Sequence, residues 1–215
     1  MTDVRQVGQI AGRYRDLQGL RQVAGGIGLL LLFAYEMVAP LTLSDFRAAG
    51  IGRALWGIGA VAVGFGLVVA AVAWISGWYR RNYGSVEQTA RQRRMGRFLG
   101  AAGALAFLVP FNLDSIAMNS GNTLPVNLMD FTLALWIVGY WFYLGRSFRH
   151  YLVLAGVGLV LGLASIAGLP PASFAWHLRE ATLYFAVATI VGGLIDHRIL
   201  TNALPRVDTE VSLGS

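Results

Sequence analysis

The feature that most limits what this chain can become is the length of its apolar runs. Crossing about 30 Å of hydrocarbon takes roughly 20 mostly apolar residues at about 1.5 Å of rise each. Six stretches fit or approach that length: 23–43, 54–74, 96–111, 126–144, 151–169 and 181–199. The third is the shortest, and Pro110 is expected to end it. In lipid every backbone N–H and C=O needs a partner, and these runs lack the polar alternation of barrel strands, so helices are expected. The fold class that follows is all-α, a polytopic integral membrane protein built as a six-transmembrane-helix bundle. Composition agrees: 56% of residues are hydrophobic and 13% charged, where a soluble domain carries about a quarter charged. A disordered chain, a coiled coil and a nucleic-acid-binding domain are excluded on that ground.

Orientation follows from the basic residues. All 17 are arginine, a usage that points to a GC-rich bacterial genome. Six passes leave both ends on one side. On that side lie Arg5, Arg13, Arg15 and Arg21, then Arg80, Arg81, Arg91, Arg93, Arg94 and Arg97, then Arg146, Arg149, Arg198 and Arg206. The other side has only Arg47, Arg53 and Arg179. Retention of positive charge on the side of synthesis puts both termini in the cytoplasm of a bacterial inner membrane. The first span reads as retained rather than cleaved, because its charged leader is long and no small-x-small site precedes Pro40.

Three segments of organisation are expected. Residues 1–22 place Val4, Val7, Ile10, Ala11, Tyr14, Leu17 and Leu20 three to four apart, the period of an amphipathic helix lying in the headgroup layer. A six-helix domain fills 23–199, and 200–215 is a short polar cytoplasmic tail. Between spans two and three, Trp78, Tyr79 and Tyr83 suit an interface anchor, and Gly84 can end the helix. Ser85-x-x-Gln88 has the spacing of a capping box for a short basic helix. Arg80, Arg81, Arg91, Arg93 and Arg94 of this stretch would bind anionic lipid or dock a partner such as a cytoplasmic ATPase. Small-xxx-small pairs at Gly96/Gly100, Ala60/Gly64, Ala62/Gly66 and Gly158/Gly162 are expected to pack helices, within the chain or between copies in a homo-oligomer.

Six-span subunits of some ABC exporters share this layout in span count and in a cytoplasmic segment between spans two and three. No motif matches residue by residue, so no family is assigned.

A charge at mid-bilayer costs at least about 2.5 kcal/mol, so ionisable residues in or beside spans are the first functional candidates. Glu36 lies near the outer end of span one and Asp130 one turn inside span four. Glu180 opens span six beside Arg179, His177 precedes it by three residues, and Arg53 opens span two. These six can converge as an outer polar vestibule that binds a substrate or ion. They can equally pair as a structural clasp, with Glu36 and Asp130 against Arg53 or Arg179, or simply end their helices in water. The asparagine-rich stretch 111–127 can line an entrance, though a turn-rich connection uses the same residues.

Chemistry beyond binding finds little support. The chain has no cysteine, which excludes disulfides, thiolate metal sites and iron–sulfur clusters. HExxH, GxSxG and phosphate-loop motifs are absent. Three histidines are too scattered for a haem or metal, although His150 and His197 can meet at the cytoplasmic end with Asp196 orienting one. No catalytic residue, metal or cofactor is expected, and no nucleic-acid partner. The expected function is a transport-related or accessory membrane subunit. A signalling protein is the alternative, followed by an intramembrane enzyme.

Overall fold

The computed structural model describes residues 14, 16–38, 50–84, 89–120, 126–146, 148–167 and 174–203. Six α-helices run in chain order: α1 (Gly19–Val38), α2 (Gly50–Tyr83), α3 (Ala90–Asn119), α4 (Leu128–Tyr143), α5 (His150–Ala164) and α6 (Phe174–Ala203). A 3-10 turn, Ser165–Ala167, follows α5. No strand occurs among the described residues. The chain divides into two compact units, one of residues 1–87 with 189–215 and one of 88–188, so α6 contributes to both.

Three helices are long and apolar enough to cross a membrane, through Ala62–Tyr83, Ala90–Leu113 and Leu178–Ala203. That is half the number expected, and the reason is length. The 16 residues of α4 and 15 of α5 reach only about 24 Å and 22 Å at 1.5 Å each. The apolar part of α1 is likewise short, Gly19–Tyr35.

In the first unit α1 begins at Gly19, four residues before the expected span. Asp16 and Leu17 form a turn, with Leu17 and Tyr14 buried; residues 1–13, the body of the expected interfacial helix, lie outside the described residues. Helix α1 packs on α2, with Gly28 facing the Val68 side chain. Its first residue crosses α6 at a glycine pair: a Cβ at Gly19 would fall on the Gly193 carbonyl oxygen, and one at Gly193 would lie 2.5 Å from the Gly19 oxygen. Gly84 adopts φ +79° and closes α2, its N–H bonding the Arg80 carbonyl at 3.1 Å.

In the second unit α4 packs against both α3 and α5. Pro110 does not end the third span, because α3 continues through it to Asn119. Proline cannot bond the carbonyl four residues back. That carbonyl, Ala106, instead accepts from the Thr132 hydroxyl of α4 at 2.6 Å, which removes the unmet acceptor that lipid would penalise. Residues 111–119 are therefore helix, and the entrance loop expected at 111–127 is correspondingly shorter. Trp136 Nε1 donates to the Leu99 carbonyl at 2.9 Å and lies over Gly103. These two bonds set α3 and α4 antiparallel. A core of Met129, Leu133, Ile137, Tyr151, Ala155 and Tyr184 fills the unit.

The basic helix expected between spans two and three is not a separate element. Residues 85–88 lie outside the described residues, and Arg91, Arg93, Arg94 and Arg97 occupy the first turns of α3 itself. The reciprocal cap falls at Thr89 and Gln92: the Gln92 N–H bonds Thr89 Oγ1 at 3.3 Å, and the Thr89 N–H bonds Gln92 Oε1 at 2.9 Å. Of the small-residue pairs, Gly158 and Gly162 are packing positions. A Cβ at Gly158 would strike the Tyr184 phenol, and one at Gly162 would lie 3.1 Å from the Phe131 nitrogen. Gly64, Gly66, Gly96 and Gly100 face open space, as do Ala60 and Ala62; the pairs that do the packing are those where a facing side chain or carbonyl needs the room.

Candidate functional site

Each unit holds one buried polar cluster. In the second unit it is organised by Asn127, which caps α4 from an extended conformation (φ −73°, ψ 94°). Its Oδ1 accepts from the backbone N–H of Met129 at 3.2 Å and of Asp130 at 3.4 Å, the usual service of an N-cap asparagine. Its Nδ2 donates to Asp130 Oδ2 at 2.8 Å and to Glu180 Oε2 at 3.4 Å. One side-chain amide thus joins a carboxylate of α4 to a carboxylate of α6. Asp130 is 0% exposed, and its second oxygen, Oδ1, has no hydrogen-bond partner.

The cause of that unmet oxygen is visible in the backbone. In a capping box the acidic residue three positions on reaches back to the N-cap N–H. Here the Asn127 N–H already bonds the Gly162 carbonyl of α5 at 3.1 Å. Glycine at 162 suits so close an approach of α5, since a Cβ would lie 3.2 Å from the Asn127 carbonyl oxygen and push the backbones apart by a few tenths of an ångström. The Asp130 carboxylate is therefore diverted onto the Asn127 side chain. A buried carboxylate lacking one of its hydrogen bonds is costly to keep.

The cluster in the first unit is of another kind. The Tyr79 side chain is 0% exposed. Its Oη accepts the Leu20 N–H at 3.3 Å and lies 2.7 Å from His197 Nδ1. With the phenol proton given to that nitrogen, the imidazole carries its own proton on Nε2. The Tyr14 hydroxyl bridges the carbonyls of Tyr79 and Gly84 at 3.0 and 3.1 Å; burial pushes this phenol's pKa above its ordinary value, opposed by its hydrogen bond to Gln18. Gln22 Nε2 reaches both the Asp16 carbonyl at 3.4 Å and Asp196 Oδ2 at 3.3 Å. The Gly19–Gly193 crossing makes this possible, because Gln22 and Asp196 each follow their glycine by three residues, on the same helical face. Tyr79 is thus an interior clamp and not an interface anchor.

Of the six residues expected in an outer vestibule, the structure brings together two, Asp130 and Glu180. Arg179 adjoins Glu180 on α6 and is half-buried. Glu36 lies in α1, Arg53 in α2 and His177 in α6, with their side chains outside the described residues. His197 meets Tyr79, while the His150 ring packs 4.3 Å from that of Tyr151. Among the described residues no three metal-ligating side chains converge. The residue that sequence reasoning passed over is Asn127. Its signal was present in Asn127-x-x-Asp130 at cap spacing. Arg80, Arg81, Arg91, Arg93 and Arg94 are all exposed.

The structure defines an all-helical protein with three helices able to cross a membrane. Protein-family models, curated proteins and solved structures include none that matches the chain.

Proposed function

We propose that the chain is a six-pass protein of a bacterial inner membrane, with both ends cytoplasmic, that acts as a transport-related subunit. The three shorter helices complete the passes, their exposed Leu31, Leu135, Val153 and Val160 meeting lipid and neighbouring helices. Fourteen of the 17 arginines then fall on the inner side. In the second unit the antiparallel pairing of α3 and α4 puts Asp130 at the end remote from Arg91–Arg97. That end is the outer one, and Asp130 and Glu180 form its polar vestibule.

The observation that carries this reading is the fully buried Asp130 of the second unit, joined through Asn127 to Glu180. Such a carboxylate is expensive and is retained where it handles a charged solute. At the inner end Arg91, Arg93 and Arg94 stand exposed, with no acidic residue in the first turn of α3. They hold anionic lipid headgroups or give a cytoplasmic ATPase or other subunit a basic surface, and Arg80 and Arg81 at the end of α2 are exposed likewise. That exposure also favours the second reading, a regulatory subunit whose output is this surface.

Proteoliposomes on a solid-supported membrane test the proposal. Jumps in external sodium or pH are expected to give sustained currents, which Asp130→Asn removes while helix content is kept. If the wild-type protein gives no sustained current, the transport reading fails and the regulatory one stands.

A further inference from the structure

We propose that Asp130 and Glu180, bridged by Asn127, hold one small monovalent cation. The inference rests on the reading that this end of the bundle opens to outside water. Three observations converge on it. The Asn127 amide satisfies one oxygen of each carboxylate, Asp130 Oδ2 and Glu180 Oε2. Asp130 Oδ1 is left buried with no hydrogen-bond donor. An acceptor in that position calls for a positive partner, and a carboxylate out of water calls for the same.

Charge sets the valence. Two carboxylates meet at one amide, and Arg179, the neighbour of Glu180 on α6, brings a single positive charge to the same end. One negative charge is then left over, which a monovalent cation balances and a divalent one overshoots. Packing sets the size. The α5 backbone touches the cap of α4 through Gly162, and Asn127 and Asp130 have no exposed surface, so an organic ammonium has no room beside Oδ1. Glu180 is half-buried and supplies the side from which the ion enters. The same oxygens serve a proton or a sodium ion, and the two differ in what they leave on the carboxylates.

The experiment uses the full chain purified in nanodiscs, with two readouts at neutral pH. Saturable binding of radioactive sodium, one per chain, identifies a sodium site; an infrared carboxylic C=O stretch identifies a proton site. In either case Asp130→Asn is expected to abolish the signal and Glu180→Gln to weaken it. Asn127→Ser keeps the cap while removing the amide bridge, and is expected to weaken binding several-fold without loss of helix content. Neither signal in the wild-type protein, or a signal unchanged by Asp130→Asn, overturns the proposal. Cation binding without sustained current would sink the transport reading and leave this site standing. Sustained current that ignores Asp130 would do the reverse.

Discussion

The two polar clusters of this protein each hold a fully buried aspartate that accepts from a side-chain amide, Asp196 from Gln22 and Asp130 from Asn127, and they differ in what else meets there. Around Tyr79 each prominent donor finds an acceptor: Tyr14 on two carbonyls, Tyr79 on His197, Gln22 on Asp16 and Asp196. Around Asn127 a single amide serves two carboxylates and one oxygen is left over. The first ties α1 to α2 and α6 through a phenol, an imidazole and an amide, whereas the second brings two carboxylates to one amide, and like charges that close are costly to keep. A second carboxylate on the same amide, that of Glu180, sets the Asn127 cluster apart.

The largest effect is expected where the clamp depends on backbone contact. Gly19→Val would drive a side chain into the Gly193 carbonyl, at a cost of more than about 3 kcal/mol. The measurement is the loss of monodisperse protein in detergent. Tyr79→Phe comes next. It strands the Leu20 N–H and His197 Nδ1 and should lower thermal stability by about 1–3 kcal/mol.

Asp130→Asn is predicted to behave differently from both. Removing a buried charge with one oxygen lacking a hydrogen-bond partner should leave stability unchanged or raise it by about 1 kcal/mol. A large loss on unfolding would make Asp130 structural and erase the contrast.

Smaller again is Tyr14→Phe, at about 1 kcal/mol for its shared hydroxyl. The raised Tyr14 pKa gives this residue a pH signature. Its contribution is complete below the unfolded phenol value of about 10 and is lost as pH climbs through the higher folded value. Alkaline unfolding should therefore begin earlier in the wild type, relative to its neutral-pH stability, than in Tyr14→Phe. Least of all, replacing Arg91, Arg93 and Arg94 with glutamine should change stability by no more than about 0.5 kcal/mol. Its effect should appear in sedimentation with anionic vesicles.

Much of this was written locally and could be read. Helix was legible from uninterrupted apolar residues, the α2 stop from Gly84, and Asp130 and Glu180 from being charges in apolar company. The cap at Thr89-x-x-Gln92 was equally local, but the neighbouring Ser85-x-x-Gln88 has the same spacing, and spacing alone does not choose between them. Pro110 misled because a proline's effect depends on who takes the carbonyl it frees. That partner, Thr132, sits in another helix.

Composition and periodicity alone therefore determined that the chain is helical and suited to lipid, since both follow from the transfer of residues and backbone out of water, one stretch at a time. Which polar groups would meet was decided only by packing. Tyr79 and His197 stand 118 residues apart, and Asp130 and Glu180 are linked only through the side chain of a third residue, Asn127. A hydrogen bond needs its atoms within about 3 Å, and no pattern along a chain specifies that until the helices have docked.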